Sequence, residues 1–257
     1  MTLIDTHSHI YLPEFEPDRK LMLERAEKEG VKQIVMPAID CSTHDAMLRV
    51  ERENPGVCYS MMGLHPCSVK GNYATELKVA REYMEKKSFK AVGEIGLDFY
   101  WDKTYTEQQY ATFHEQIEWA LHYNLPVVIH SRNSTDECIN VVKDHQNGSL
   151  KGVFHCFSGN SEQANQIISL GFYLGIGGVL TYKKSGLDTI MEKIDLDYLV
   201  LETDAPYLAP VPFRGKRNES GYLKYIAQKL AEIKNNTLEE IARVTTKNAI
   251  NLFGELS

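Results

Sequence analysis

Cysteine is scarce in this 257-residue chain: Cys41, Cys58, Cys67, Cys138 and Cys156 are odd in number and form no C-x-x-C pair. That excludes a disulfide framework and argues against a zinc ribbon, so reduced thiols are expected. No uncharged apolar run approaches the ~18–20 residues needed to span a bilayer. The opening MTLIDTHSHI has no basic segment followed by an apolar stretch, so no targeting segment is read there. A cytoplasmic protein without a membrane partner is expected. Neither a glycine–lysine phosphate loop nor a Gly-x-Ser-x-Gly elbow is present, which removes nucleoside-triphosphate and serine-hydrolase chemistry. The net charge of −7 disfavours a broad basic face for nucleic acid, although a small site can still gather positive charge locally. With no biased tract or linker, residues 1–257 read as one domain. A core of that size needs no metal staple, so a bound metal is expected to do chemistry.

Short apolar runs alternate with helix-length amphipathic stretches from end to end. The runs are Leu3–His7, Gln33–Pro37, Val57–Gly63, Lys90–Gly96, Pro126–His130, Gly152–His155, Phe172–Gly177 and Tyr198–Glu202. Helical patterns include Asp18–Gly30 and Thr106–Asn124, and helix starts are marked by Thr106-x-x-Gln109, Ser134-x-x-Glu137, Asn160-x-x-Gln163 and Thr237-x-x-Glu240. Gly30 and Gly171 fall where helices should stop. Eight repeats of about 32 residues match an α/β fold of the (β/α)8 TIM-barrel type. An open, doubly wound sheet would show a similar alternation.

Among the nine histidines, His44, His114, His122 and His145 lie in helical stretches, whereas His7, His9, His65, His130 and His155 lie at or just past strand ends. Glu94 and Asp204 occupy equivalent places after the fourth and eighth strands. In a barrel this rim carries the active site. Strand alternation turns His7 and His9 to one face and puts Val92 beneath Glu94, Val128 beneath His130 and Val153 beneath His155. Cys156 should then point away. Imidazoles and carboxylates converging in a barrel mouth are costly to bury uncompensated, and divalent metal supplies the compensation. His7, His9, Glu94, His130, His155 and Asp204 are too many ligands for one catalytic tetrahedral ion, so two divalent ions are expected. Nitrogen and oxygen donors without thiolate suit zinc, manganese or iron, with magnesium less comfortable.

The segments Asp5-Thr6-His7-Ser8-His9, Gly63-Leu64-His65-Pro66, Gly93-Glu94-Ile95-Gly96-Leu97-Asp98, Ile129-His130-Ser131-Arg132, Phe154-His155-Cys156-Phe157-Ser158-Gly159 and Leu201-Glu202-Thr203-Asp204-Ala205-Pro206 together resemble the TatD family of metal-dependent deoxyribonucleases. The tail from Thr245 to Phe253 is similar to that family's closing motif. The resemblance implies an amidohydrolase-type barrel with His7, His9, Glu94 and Asp204 around one metal and Glu94, His130 and His155 around the other. It also implies hydrolysis of phosphodiester bonds in DNA, commonly from a 3′ end, with D-aminoacyl-tRNA deacylation in some members. Two positions depart from the pattern, Tyr11 and Ser220. Neither is expected to touch a ligand, and both are expected to act on the rim.

Asp204 is the expected acceptor of the water proton, with a plain ligand role as the alternative. His65 is expected to contact a phosphate or the leaving oxygen, and Glu94 to bridge. Arg132, Arg214, Lys216 and Arg217 suit flanking phosphates, although short basic loops are commonly just solvated. Asp98 and Glu202 are expected to orient ligands. Asp5 is expected to lie too deep to matter. Tyr100 and Trp101 either stack on a base or pack their own loop. A nucleic-acid strand or end is the expected partner, acted on by a monomer with no obligate protein partner. The same ligands would serve a carboxylic ester or amide hydrolase equally well, and a metal-stabilised binding scaffold is the non-enzymatic reading.

Overall fold

A computed structural model describes residues 1–256. Its strands are β1 Leu3–Asp5, β2 Val31–Met36, β3 Cys58–Ser60, β4 Val92–Asp98, β5 Val127–Arg132, β6 Gly152–Phe154, β7 Phe172–Ile176 and β8 Leu199–Leu201. The helices are α1 Arg19–Lys28, α2 His44–Glu53, α3 Tyr73–Lys86, α4 Thr106–Tyr123, α5 Thr135–His145, α6 Ser161–Ser169, α7 Leu187–Met191, α8 Leu223–Lys234 and α9 Leu238–Phe253. Neighbouring strands are parallel, in the orders β1-β2-β3 and β4-β5-β6-β7-β8. Single parallel bridges join the two ladders, Met62 to Val92 at one seam and Ser8 to Ala205 at the other. Backbone hydrogen bonds from Gly93 to Met62 (2.9 Å) and from Thr6 to Leu201 (3.1 Å) support those seams. The strands therefore follow one another in sequence order, without the reversal of a doubly wound sheet, as in a (β/α)8 barrel. Among the described residues no helix is long and apolar enough to cross a membrane.

One inward layer explains what the barrel is filled with. Ile4, Val35, Tyr59, Ala91, Val128, Val153 and Val200 are buried together, one from or beside each of seven strands, with Tyr173 of β7 packed against them. Ala249, Leu252 and Phe253 of α9 join the same cluster. Each larger apolar side chain so buried contributes about 1.5–3 kcal/mol. With one mouth closed by this helix, the C-terminal ends of the strands form the other.

Alternation places His130 above Val128 and His155 above Val153, as the sequence suggests, but it fails at Glu94. The inward residue below Glu94 is Ala91 rather than Val92, which lies in the outer core. The β4–β5 register skips between Gly93 and Ile95, a bulge that turns Glu94 to the face that simple parity denies it. Gly93 stands against Val128, whose Cβ would lie 2.8 Å from a Cβ added at 93. At β1 the regular strand ends at Asp5, so His7 and His9 are carried by irregular chain beyond it.

Two of the four helix-start readings need correction. Asn160 and Gln163 form a reciprocal capping box, and Thr237 accepts from the Glu240 amide. At α4 the cap residue is Tyr105 without a side-chain cap, because Gln109 instead binds the backbone of Asp98 and Asp102. Ser134 precedes α5 but donates to Leu97 O at 2.7 Å. Tertiary partners outcompete the local cap in both cases. Gly30 and Gly171 follow α1 and α6 at φ +93° and +82°, the left-handed backbone that glycine adopts freely.

Candidate metal centre

Five imidazoles surround one buried carboxylate. Glu94 Oε2 lies 3.1 Å from His7 Nε2 and 3.6 Å from His9 Nε2. Its Oε1 lies 2.7 Å from His155 Nε2, 2.8 Å from His130 Nδ1 and 3.3 Å from His65 Nε2. Asp204 Oδ1 completes the other side, 3.6 Å from His9 Nε2 and 3.8 Å from His7 Nε2. The His7 and His155 rings are stacked with centroids 3.9 Å apart. All six ligand candidates read from the sequence are thus brought to one place, with His65 drawn in beside them. Three groupings have donor atoms close enough to share an ion: His7 with His9 and Glu94, His7 with His155 and Asp204, and His65 with Glu94 and His130. His7 and Glu94 each belong to two of the three groupings.

The local charges hold the cluster together. Burial pushes the Glu94 carboxyl upward, but His155, His65 and His7 outweigh it and keep it well below the usual carboxylate range. For His155 burial acts downward, and Glu94 with Glu202 reverses it. Burial dominates at His7, whose value is lowered. Asp204 is likewise lifted by burial and brought down overall by His9, His155 and His7. It stands as a carboxylate at neutral pH.

Two observations test whether these residues suit a divalent cation. Ligand atoms around a tetrahedral ion at ~2.0–2.1 Å stand about 3.3 Å apart, and the spacings from 3.1 to 3.8 Å among His7, His9, Glu94 and Asp204 scatter about that value. His130 is also wedged between two carboxylates, Nδ1 on Glu94 and Nε2 2.9 Å from Asp98 Oδ2. A neutral ring has one N–H, so one side needs either a second proton or a cation. With a cation at Nδ1, the remaining N–H donates to Asp98, the carboxylate–histidine–metal arrangement. His155 repeats it less tightly, with Nδ1 3.4 Å from Glu202 Oε1. Room for Glu202 exists because Gly175 lacks a Cβ, which would stand 2.3 Å from Glu202 Oε2. The residues fit.

Other positions have partners of their own. Arg217 does not face the cluster: both its terminal nitrogens bind Asp18, at 2.7 and 2.9 Å, and its guanidinium lies over Phe15. Arg214 lies over Tyr182 at 4.5 Å, and Arg132 over Tyr100 at 4.0 Å. Cys156, expected to face away, has φ +48° just past β6. Its amide donates to Glu202 at 2.5 Å. Burial, then the carboxylates of Asp204, Glu202 and Glu94, raise its thiol well above the ordinary value. His65 Nδ1 accepts from the Cys67 amide at 3.0 Å. The helical histidines stay outside, and His114 pairs with His145 at 2.7 Å between α4 and α5.

Sequence reasoning missed Tyr11. It does touch a ligand: its hydroxyl is 3.0 Å from His9 Nδ1 and donates to Pro37 O at 2.7 Å. Tyr11 and Ser220 are both buried, at 2% and 0% exposure. The signal lay in spacing, since a Tyr two residues after a rim histidine can reach back to it. Asp5 is buried as expected, yet it accepts from the Thr203 amide at 2.9 Å and from the Thr203 hydroxyl at 2.6 Å. It therefore ties the start of the chain to the segment carrying Asp204. Burial lifts its carboxyl to about 7.

A barrel whose open mouth gathers imidazoles and carboxylates around a shared Glu defines the class of metal-dependent hydrolases. The chain matches the family described as TatD related DNase over residues 4–254 and belongs to that family. It is 37% identical over 252 residues to the uncharacterized metal-dependent hydrolase YabD of Bacillus subtilis, covering 98% of each chain. It is 30% identical to the 3′-5′ ssDNA/RNA exonuclease TatD of Erwinia tasmaniensis, covering 98% of this chain and 99% of that protein. The crystal structure of the TatD homologue YjjV from Escherichia coli superposes with a TM-score of 0.92 at 33% identity and 98% coverage of both chains.

Proposed function

We propose that this protein hydrolyses phosphodiester bonds of single-stranded DNA or of DNA ends, releasing nucleotides from the 3′ side. The observation carrying this reading is the convergence of five imidazoles and Asp204 on Glu94, in a chain similar along its whole length to a 3′-5′ ssDNA/RNA exonuclease. His7, His9, Glu94 and Asp204 would hold one divalent ion, and Glu94, His130 and His155 a second, of zinc, manganese or magnesium. Bound there, divalent ions make water a nucleophile near neutral pH and offset charge on phosphoryl oxygens.

The protein's own groups have separable tasks. Asp204, ionised and 14% exposed at its side chain, accepts the proton of the attacking water. Glu94 stays ionised between the two halves of the cluster. Asp98 holds the ring of His130 by its outer nitrogen, and the Glu202 carboxylate lies 3.4 Å from that of His155. His65 turns its Nε2 toward Glu94, where it can donate to a phosphoryl or leaving oxygen. Arg132, in register with Asp98 on the neighbouring strand, would meet a flanking phosphate.

Elemental analysis of the purified protein, joined to chelator-reversible digestion of single-stranded DNA with one end blocked, tests the reading. Cleavage that needs the restored metal and stops only when the 3′ end is blocked is the expected result. Deacylation of aminoacyl-tRNA without strand cleavage would replace it with acyl-ester hydrolysis.

A further inference from the structure

The loop after β4 leaves its aromatic rings in solvent. Trp101 is 68% exposed and Tyr100 54%, against 56% for Leu21, the most exposed large apolar side chain elsewhere among the described residues. Neighbouring Phe99 is half-buried and packs toward Tyr110 of α4, so the loop has an inward site and uses it for one ring only. Tyr100 and Trp101 meet edge to face at 4.9 Å. The Arg132 guanidinium lies 4.0 Å over the Tyr100 ring and 5.3 Å from that of Trp101. An open indole face beside a cation is suited to a flat, electron-rich ring carrying an anion.

The loop is also fixed relative to the metal centre. Asp98 Oδ1 accepts from the amides of Tyr100 (2.9 Å) and Trp101 (3.0 Å), while Oδ2 of the same carboxylate lies 2.9 Å from His130 Nε2. Gln109 holds the Asp98 amide at 2.8 Å, and Lys70 holds Asp102 at 2.6 Å. One side chain thus sets both the orientation of a candidate ligand and the position of the exposed rings. A pre-set surface loses little entropy on binding.

We propose that Tyr100, Trp101 and Arg132 form a subsite for one unpaired base of a nucleic-acid strand, stacked on Trp101 with its phosphate at Arg132. This rests on the nuclease reading above and adds that a base, as well as the backbone, is recognised beside the centre. Bases stacked inside a duplex present no free face, so the subsite favours single strands and frayed ends.

The test compares two probes on the metal-loaded protein: a phosphorothioate oligothymidylate and a strand of equal length and linkage made of abasic residues. The oligothymidylate should bind about 5- to 150-fold more tightly, the range for one stacked base, and should quench tryptophan emission. Trp119 in α4 is buried at 6% exposure, so the quenched signal comes from Trp101. Trp101→Ala should collapse the ratio between the probes while leaving the abasic affinity within about twofold, and Trp101→Phe should restore most of the ratio. Equal binding of both probes by the unaltered protein, or an unchanged ratio in Trp101→Ala, overturns the subsite and leaves the nuclease reading intact. Binding of neither probe overturns both.

Discussion

The Tyr11 hydroxyl accepts a hydrogen bond from His9 Nδ1 at 3.0 Å, because its own proton is committed to the carbonyl of Pro37 at 2.7 Å. That assignment puts the His9 proton on Nδ1 and leaves Nε2 as a lone-pair donor facing Glu94 and Asp204. Burial, then the Glu94 charge, raises the Tyr11 phenol well above its ordinary value, so it stays neutral. Tyr11→Phe should weaken metal binding by about 10- to 100-fold. Competition with a metal-sensitive chelator measures this, and unchanged affinity would show that His9 needs no such partner.

Asp204→Asn separates a proton acceptor from a plain ligand. As the acceptor, its loss should lower kcat by about 10²- to 10⁴-fold while metal content stays near that of the unaltered protein. Elemental analysis decides, because a ligand role alone would remove metal in proportion to activity. Near-normal turnover would reject both roles.

Gly96 has φ +136°, and an added Cβ would stand 2.1 Å from the backbone oxygen of His130. Backbone cannot move aside as a flexible side chain would, so Gly96→Ala should separate β4 from β5 where Glu94, Asp98 and His130 are carried. A loss above about 4 kcal/mol in urea unfolding is expected, with insoluble protein as the extreme. An unchanged midpoint would contradict the contact.

Asp18 joins two arginines, and Arg217 first, then Arg25, hold its carboxyl far below the usual range. A lowered folded value stabilises the protein above the unfolded carboxyl value of about 4, and the benefit fades as pH falls below it. Asp18→Asn should therefore cost about 1 kcal/mol at pH 7, with the difference shrinking below pH 4. Urea midpoints of the two proteins across pH 3–7 check the sign.

The legible features were those set by local period and residue type. Eight apolar runs at barrel spacing announced the strands, and histidines at their ends announced the centre, because a parallel barrel carries each strand end to the same mouth. Val128 under His130 and Val153 under His155 followed from alternation alone. Glu94 did not follow, since a bulge between Gly93 and Ile95 depends on how β4 meets β5. The cap pattern at Thr106 misled because Gln109 found the backbone of Asp98 and Asp102.

Spacing and residue chemistry by themselves pointed to an alternating α/β fold and to the candidate donors, because both depend on short-range order along the chain. Only the folded chain decided which atoms each donor faces: that Arg217 is held by Asp18, that Tyr11 reaches His9, and that Asp98 serves His130 and the Trp101 turn at once. These pairings join residues by shape and charge in three dimensions, and no period in the sequence encodes them.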